Sequence, residues 1–366
     1  DFGQLITLRH LATHTSGMRD QWDLLSMAGW RNDDVITKEH ILKLVAKQKA
    51  LNFEPGAEYN YCNTGFTLLA EVVARVSGKS FYQFTKDNIF EPLQMINSQF
   101  YDDHERIVRN RAYSYEPTDS GYKKSVLSFA NVGATSLFTT VEDLSLWGHH
   151  LNRPSEQIKP IVEQMNTLAV LNNGKTFSGA YGQFVTPYKG LKQIQHGGAD
   201  AGYRSYLGRF PDQDLAVSVF SNFANSNPAG LSLQVADLFL RSEMETPKAA
   251  KKVNGPQTIA LNSKELAAFE NHFWNEQSAL SRRIYVKNDT LRYNRGGANE
   301  TPLAAIAKNK FMMLNVPGLV TVEFKTESGK EKMIVYQENQ PDFIAEAYDY
   351  VDPSTLDLEQ YQGSYY

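Results

Sequence analysis

The stretch from Thr246 to Pro256, Thr-Pro-Lys-Ala-Ala-Lys-Lys-Val-Asn-Gly-Pro, constrains the fold more than any other part of this chain. It is polar, basic and bracketed by prolines, so it has little to bury and interrupts both helix and strand patterns. A segment of this kind reads as a linker, and the patterning differs on its two sides. After it come short strand-like runs at regular spacing: Arg283–Val286, Thr290–Tyr293, Lys310–Leu314, Val320–Phe324 and Lys332–Tyr336. Turns such as Lys287-Asn288-Asp289 and Glu327-Ser328-Gly329-Lys330 separate them. Strands so spaced predict a small antiparallel β-barrel or sandwich of about a hundred residues. Tyr293, Phe311, Tyr336 and Phe343 read as its core rather than as a cage for a ligand.

Before the linker, helix and strand signals mix. Thr37 to Lys47 reads as a capped amphipathic helix, and Thr67 to Val76 as a more apolar one stopped by Ser77-Gly78. Thr140-Val141-Glu142-Asp143 precedes Leu144 and Trp147 as a capping box with Asp in the Glu position. Residues 204–222 predict two strands joined by a Pro211-Asp212-Gln213-Asp214 turn, and Leu231 to Leu240 a helix. At roughly 100–200 residues per domain, 366 residues fit two or three such bodies.

Composition excludes several classes. With 42% hydrophobic residues the chain can build a real core, so disorder is not its dominant state. Its 37 basic and 41 acidic side chains, a net charge of −4, leave no footprint for nucleic acid. One cysteine excludes an internal disulfide framework and any cysteine-built zinc or iron–sulfur site. No apolar run approaches the roughly 18 residues that a membrane helix needs.

The ends carry a further expectation. The chain opens Asp1-Phe2-Gly3-Gln4 with no Met and is in a helix pattern, Leu8, Leu11 and Ala12, within a few residues. It closes on the aromatic Tyr361-Gln362-Gly363-Ser364-Tyr365-Tyr366, either a docked terminal strand or a cut. Residues 265–274 and 357–366 align, with acid, Leu, aromatic and paired aromatics in step at an offset of 92. That offset suits one small domain, so residues 352–366 read as a terminal strand or the start of a second barrel repeat.

Three segments carry chemistry. In Leu8-Arg9-His10-Leu11-Ala12-Thr13-His14-Thr15-Ser16-Gly17, His10 and His14 are spaced i, i+4, but no Glu stands beside the first. A structural helix closed by Ser16-Gly17 is the reading, with no metal. In Pro55-Gly56-Ala57-Glu58-Tyr59-Asn60-Tyr61-Cys62-Asn63, a turn delivers a Tyr-x-Asn triplet to an apolar helix; by itself this is a hydrogen-bonded loop or a catalytic pair. In Gln195-His196-Gly197-Gly198-Ala199, a His and two glycines precede strand-like residues, where Gly marks close approach of a ligand to the backbone, a weak signal by itself.

In order and spacing, the three together resemble the serine β-lactamase-like, penicillin-recognising hydrolases, particularly class C β-lactamases and related D-aminopeptidases and esterases. The resemblance runs through Leu11–Gly17, Pro55–Asn63 with Cys62 at a common Ser position, His196-Gly197-Gly198, and the glycine turn Gly133 to Leu144. It covers about residues 4–243. It implies an α+β fold over residues 1–245, an antiparallel sheet flanked by helices and incomplete at its N-terminus. Then follow the linker 246–256 and a lipocalin-like barrel at 257–351.

The resemblance also implies roles. The family's nucleophile is the Ser of a Ser-x-x-Lys motif on a helix start, expected before His10 and absent from this chain. The tetrad Ser120-Gly121-Tyr122-Lys123 lies in a polar stretch after the Tyr-x-Asn motif and is rejected. Tyr61 would share acid and base work, which requires a cation to lower a phenol pKa normally near 10. Asn63 would bind a substrate amide, and His196 would stand where the family has Lys. Ala199 would donate one oxyanion N–H, and Gly197 and Gly198 would admit the substrate. Arg204 is weighed as a carboxylate partner against a surface ion pair.

The expected partner is a small-molecule or peptide substrate, with no nucleic acid, no membrane span and no cofactor. Oligomeric state is open, and a periplasmic or secreted compartment is favoured over a cytoplasmic one. Two functions compete. One is a serine hydrolase forming an acyl-enzyme on amide, ester or β-lactam bonds, peptidase- or esterase-like rather than an efficient β-lactamase. The other is a non-catalytic module that keeps the pocket.

Overall fold

A computed structural model describes residues 3, 5–244, 257–276, 280–296, 300–316, 319–327, 329–337, 342–352 and 355–357. The stretch 246–256 and the aromatic repeat segment 358–366 lie outside the described residues. Contacts group the chain into two compact units, Asp1–Thr246 and Pro247–Tyr365.

In the first unit, short helices α1 (Leu8–Ala12), α2 (Gln21–Met27) and α3 (Lys38–Ala46) lead to the long α4 (Asn63–Ser77). α5 (Phe81–Thr85) runs on through a π turn, Lys86–Phe90. Leu11, Met18, Leu25, Ile36, Ile41, Val45, Cys62 and Phe129 form the core between these helices. α4 begins four residues before the expected Thr67 and stops where expected, on Gly78 at φ +68°. Its close crossing of α1 depends on Gly65, where a Cβ would lie 2.9 Å from the Leu11 carbonyl oxygen.

Two small pairings follow, β1 (Gln99–Phe100) with β4 (Leu137–Phe138), and the hairpin β2 (Ser114–Thr118) with β3 (Gly121–Ser125). α6 (Val141–Asn152) starts on Thr140, whose hydroxyl accepts from the Asp143 N–H as predicted. The reciprocal half of the box is missing. Asp143 instead accepts from the Asn97 N–H and the Ser98 hydroxyl, tying α6 to the preceding loop. After α7 (Lys159–Met165), β5 (Phe184–Tyr188), β6 (Leu191–Asp200), β7 (Tyr203–Phe210) and β8 (Leu215–Ser221) build a four-stranded antiparallel sheet in that order. The β7–β8 turn at Pro211–Gln213 is the one expected, and α8 (Pro228–Phe239) packs on the sheet through Ala236 and Leu233.

The second unit opens with α9 (Ser263–Ala267), which carries a full capping box between Asn262 and Glu265. Eight strands follow: β9 (Asn271–Asn275), β10 (Leu280–Lys287), β11 (Thr290–Asn294), β12 (Glu300–Ala307), β13 (Lys310–Met313), β14 (Val320–Glu327), β15 (Lys330–Gln337) and β16 (Phe343–Tyr348). Each pairs with the next and β16 closes on β9, so the barrel has no open edge. This is the up-and-down architecture of lipocalins. Phe273, Ile284, Leu291, Tyr293, Phe311, Val322 and Met333 fill its interior. Tyr336 is the exception among the expected core aromatics. It falls between Val335 and Gln337, on the face opposite Met333 and Val335, because side chains alternate along a strand.

Candidate active site

The loop before α4 and the strand β6 bring the sequence-predicted residues together. Tyr61 lies one residue before Cys62, the N-cap of α4, and is 41% exposed. His196 lies on β6, and the two rings are 6.2 Å apart between centroids. β5 pairs with β6 only as far as Gln195 opposite Phe184. Among the described residues, the strand from His196 to Asp200 pairs with β7 alone. Gly197, Gly198 and Ala199 are exposed there, so the outer backbone edge of β6 stands open beside Tyr61.

Asn63 begins α4 rather than ending a loop. Its backbone N–H and its side-chain amide both donate to Asp20 Oδ2, at 2.5 and 2.9 Å. The other Asp20 oxygen caps α2 by accepting from the Trp22 N–H at 2.9 Å. One carboxylate therefore fixes two helix starts, and Asn63 keeps its carbonyl oxygen for a ligand.

His14 was missed as part of this site. α1 ends at Ala12, and His14 turns away from it at φ +57°, so His10 and His14 share no helix face. The ring is 5% exposed, stacks on Tyr61 at 4.2 Å and packs on Phe66 at 5.1 Å. The Cys62 N–H donates to His14 Nδ1 at 3.0 Å, which places the proton of the neutral ring on Nε2. Burial pushes His14 down to about 4; the nearby Cys62 carbonyl opposes this and His196 adds to it. The ring is thus a neutral shelf under Tyr61. Its sequence signal was the positive-φ turn chemistry of His14 to Gly17, not an i, i+4 spacing. Gly17 is at φ +72°, and a Cβ there would lie 2.0 Å from the Phe53 carbonyl oxygen.

The electrostatics differ from the expected pairing of Tyr61 with a cation. Burial raises the Tyr61 phenol, and Asp20, Asp200 and Cys62 all push the same way. Burial likewise lowers His196, against the bond to Gly197. His196 Nδ1 lies 2.6 Å from the Gly197 carbonyl, a contact a neutral ring makes by donating from Nδ1. Nε2 is then the unprotonated acceptor. Asp200, at the open end of β6, is raised by burial against Thr135 and Arg204, and the Thr135 hydroxyl donates to it. Gly133 at φ +102° sets the turn that carries Thr135, packing where a Cβ would lie 2.3 Å from the Phe66 carbonyl oxygen.

Arg204 makes no ion pair within 4 Å among the described residues, though its charge acts on Asp200. Its Nη1 donates to the Ala201 and Tyr203 carbonyls and braces the β6–β7 turn. The rejected tetrad sits on the β2–β3 hairpin, with Ser120 in the turn and Lys123 paired to Glu116 at 2.9 Å.

A family profile described as Beta-lactamase matches residues 1–240. The chain belongs to the Beta-lactamase family. Among curated relatives, a D-aminopeptidase of Cereibacter sphaeroides is 27% identical over 250 residues, 68% of this chain and 48% of its own length. The chain thus spans about half the length of the curated relatives it matches. Among solved structures, the octameric penicillin-binding protein homologue from Pyrococcus abyssi aligns with a TM-score of 0.60 at 22% identity. It covers 94% of this chain and 79% of its own. A D-stereospecific amidohydrolase from Streptomyces sp. aligns at 0.54 and 19%, over 63% of this chain and 72% of that one. These likenesses show the fold. In this Beta-lactamase family member, the Tyr61 and His196 rings meet beside the free edge of β6, and Asn63 starts α4 two residues after Tyr61.

Proposed function

We propose that the open edge of β6 beside Tyr61 belongs to a serine hydrolase that cleaves amide or ester bonds through an acyl-enzyme. The observation that carries the reading is the unpaired edge of β6 from His196 to Asp200, open beside Tyr61. An extended substrate adds to such an edge through its own main chain. Its carbonyl is then held near the Ala199 N–H, the expected oxyanion donor. His196 Nε2 accepts a proton and the neutral Tyr61 phenol donates one to a leaving nitrogen or oxygen. The names of the relatives, D-aminopeptidase and D-stereospecific amidohydrolase, favour amide substrates.

The attacking hydroxyl is proposed to come from a Ser-x-x-Lys element outside these 366 residues, since Ser120–Lys123 is committed to a hairpin. That Lys would also supply the cation which Tyr61 needs to act as a base. A second reading, a binding module, is favoured by the Tyr61 neighbours, all of which disfavour phenolate. The test is turnover of a chromogenic ester and labelling by a fluorescent penicillin. The 366-residue chain is expected to be silent. A version extended by the family's Ser-x-x-Lys segment is expected to be active, and to lose about a hundredfold on Tyr61→Phe. Covalent labelling mapped to a residue of the present chain would overturn the assignment of the nucleophile. An extended chain that binds penicillin without turnover or acylation would favour the binding module.

A further inference from the structure

The open edge of β6 carries a polar group at each end. Side chains alternate along a strand, so His196, Gly198 and Asp200 share one face. Gly198 puts no side chain between the other two; a Cβ there would lie 2.4 Å from Ser205 Oγ. His196 stands beside Tyr61. Asp200 is the last residue of the strand, about 13 Å along it from His196. Both are partly exposed.

Two carboxylates act on the Tyr61 phenol, Asp20 and Asp200, and both push it up. They differ in what they have left to accept. Asp20 Oδ1 caps α2, and Oδ2 accepts from both nitrogens of Asn63. Asp200 Oδ2 accepts from the Thr135 hydroxyl, and Oδ1 has no hydrogen bond among the described residues. The Arg204 charge acts on Asp200 from a distance, while its Nη1 is given to the Ala201 and Tyr203 carbonyls. Burial without a close counter-charge raises Asp200. An ammonium beside Oδ1 would supply that charge and a charge-assisted hydrogen bond.

The oxyanion position fixes where such a group would come. A carbonyl held at the Ala199 N–H lies one residue from Asp200. In a substrate with a free α-amine, the amine nitrogen is about 2.5 Å from that carbonyl carbon, and consecutive Cα atoms of the strand are about 3.8 Å apart. Ammonium and carboxylate then fall within the reach of one aspartate side chain. An acylated amine has no charge to offer and sets a neutral amide against the carboxylate.

We infer that Asp200 selects substrates whose acyl part carries a free α-amine, its Oδ1 accepting from the ammonium while the neighbouring carbonyl lies at the Ala199 N–H. This rests on the hydrolase reading of the β6 edge and narrows it from amides and esters at large to α-aminoacyl ones. Asp200 touches the substrate but takes no part in the bond exchange. Thr135, holding Oδ2, positions its carboxylate.

The test uses the p-nitroanilides of alanine, N-acetylalanine and lactic acid, the last a neutral hydroxyl isostere of the amine, in both enantiomers. Nuclear magnetic resonance titration of the 366-residue chain reads binding alone. The alanine anilide is expected to bind about tenfold or more tightly than either neutral analogue, and Asp200→Asn to erase the difference. In the version extended by the family's Ser-x-x-Lys segment, the ratio of kcat/KM for the free amine to that for its N-acetyl form is the readout. Asp200→Asn is expected to lower this ratio about tenfold or more. A purely structural aspartate would lower both rates together and leave the ratio where it was. If Asp200→Asn does not fold, Asp200→Glu, which moves the charge by one methylene, should lower the ratio as well, and the three ligands on the parent chain still decide. An extended chain that cleaves none of the anilides removes the hydrolase reading, while the order of binding to the 366-residue chain still judges Asp200. Equal binding of the amine and its neutral analogues, an unmoved ratio in the variants, or no saturable binding of the alanine anilide overturns the inference.

Discussion

His14 is buried neutral at pH 7, and that links stability to acid. An exposed imidazole titrates near about 6.5, while this one is pushed down to about 4. Between those values the unfolded chain binds a proton that the native one refuses, so stability is full above about pH 6.5 and is lost as pH falls toward 4. At about 1.4 kcal/mol per pH unit, the loss from this residue approaches ~3.5 kcal/mol. His196, lowered by burial as well, adds in the same direction. His14→Gln, which keeps an acceptor for the Cys62 N–H, should flatten the curve of unfolding free energy against pH in this window. Identical slopes for variant and parent in denaturant titrations at pH 4, 5, 6 and 7 would rule His14 out as the source.

At the scale of elements, the barrel's pleat makes a paired prediction. Phe311 is fully buried in the interior, and Phe311→Ala should cost about 3–5 kcal/mol. Tyr336 is on the outer face over Lys310, and Tyr336→Ala should cost about 1 kcal/mol or less. Chemical denaturation of both variants checks the difference; equal costs would mean the register is wrong. The alternation that separates these residues was legible in the chain, but its phase was not, because Ile334 and Tyr336 are as apolar as Met333 and Val335. β12 escaped notice for another reason: Glu300–Ala307 is rich in Ala and contains Pro302, which lacks strand propensity. The site was legible where a residue is chemically scarce in its segment, as with Tyr61 and His196. Asp20, Thr135 and Asp200 were not, since their roles come from carboxylates and hydroxyls meeting across more than forty residues of chain.

At the scale of the whole molecule, 37 basic against 41 acidic side chains bring neutrality close to pH 6.1. A chain without net charge loses the repulsion that keeps copies apart. Light scattering across pH 5–8 at low salt should therefore show a solubility minimum near pH 6, shifted upward by added surface lysines; a monotonic curve would contradict it. One further consequence comes from the open edge of β6. A ligand that joins this strand is held by its main chain, so the strand is blind to which side chains the ligand carries. It is not blind to their handedness. Inverting a single α-carbon in a chain so held swings its substituent from one side of the sheet to the other, away from His196 or onto it. Mirror-image substrates with identical composition thereby meet different walls.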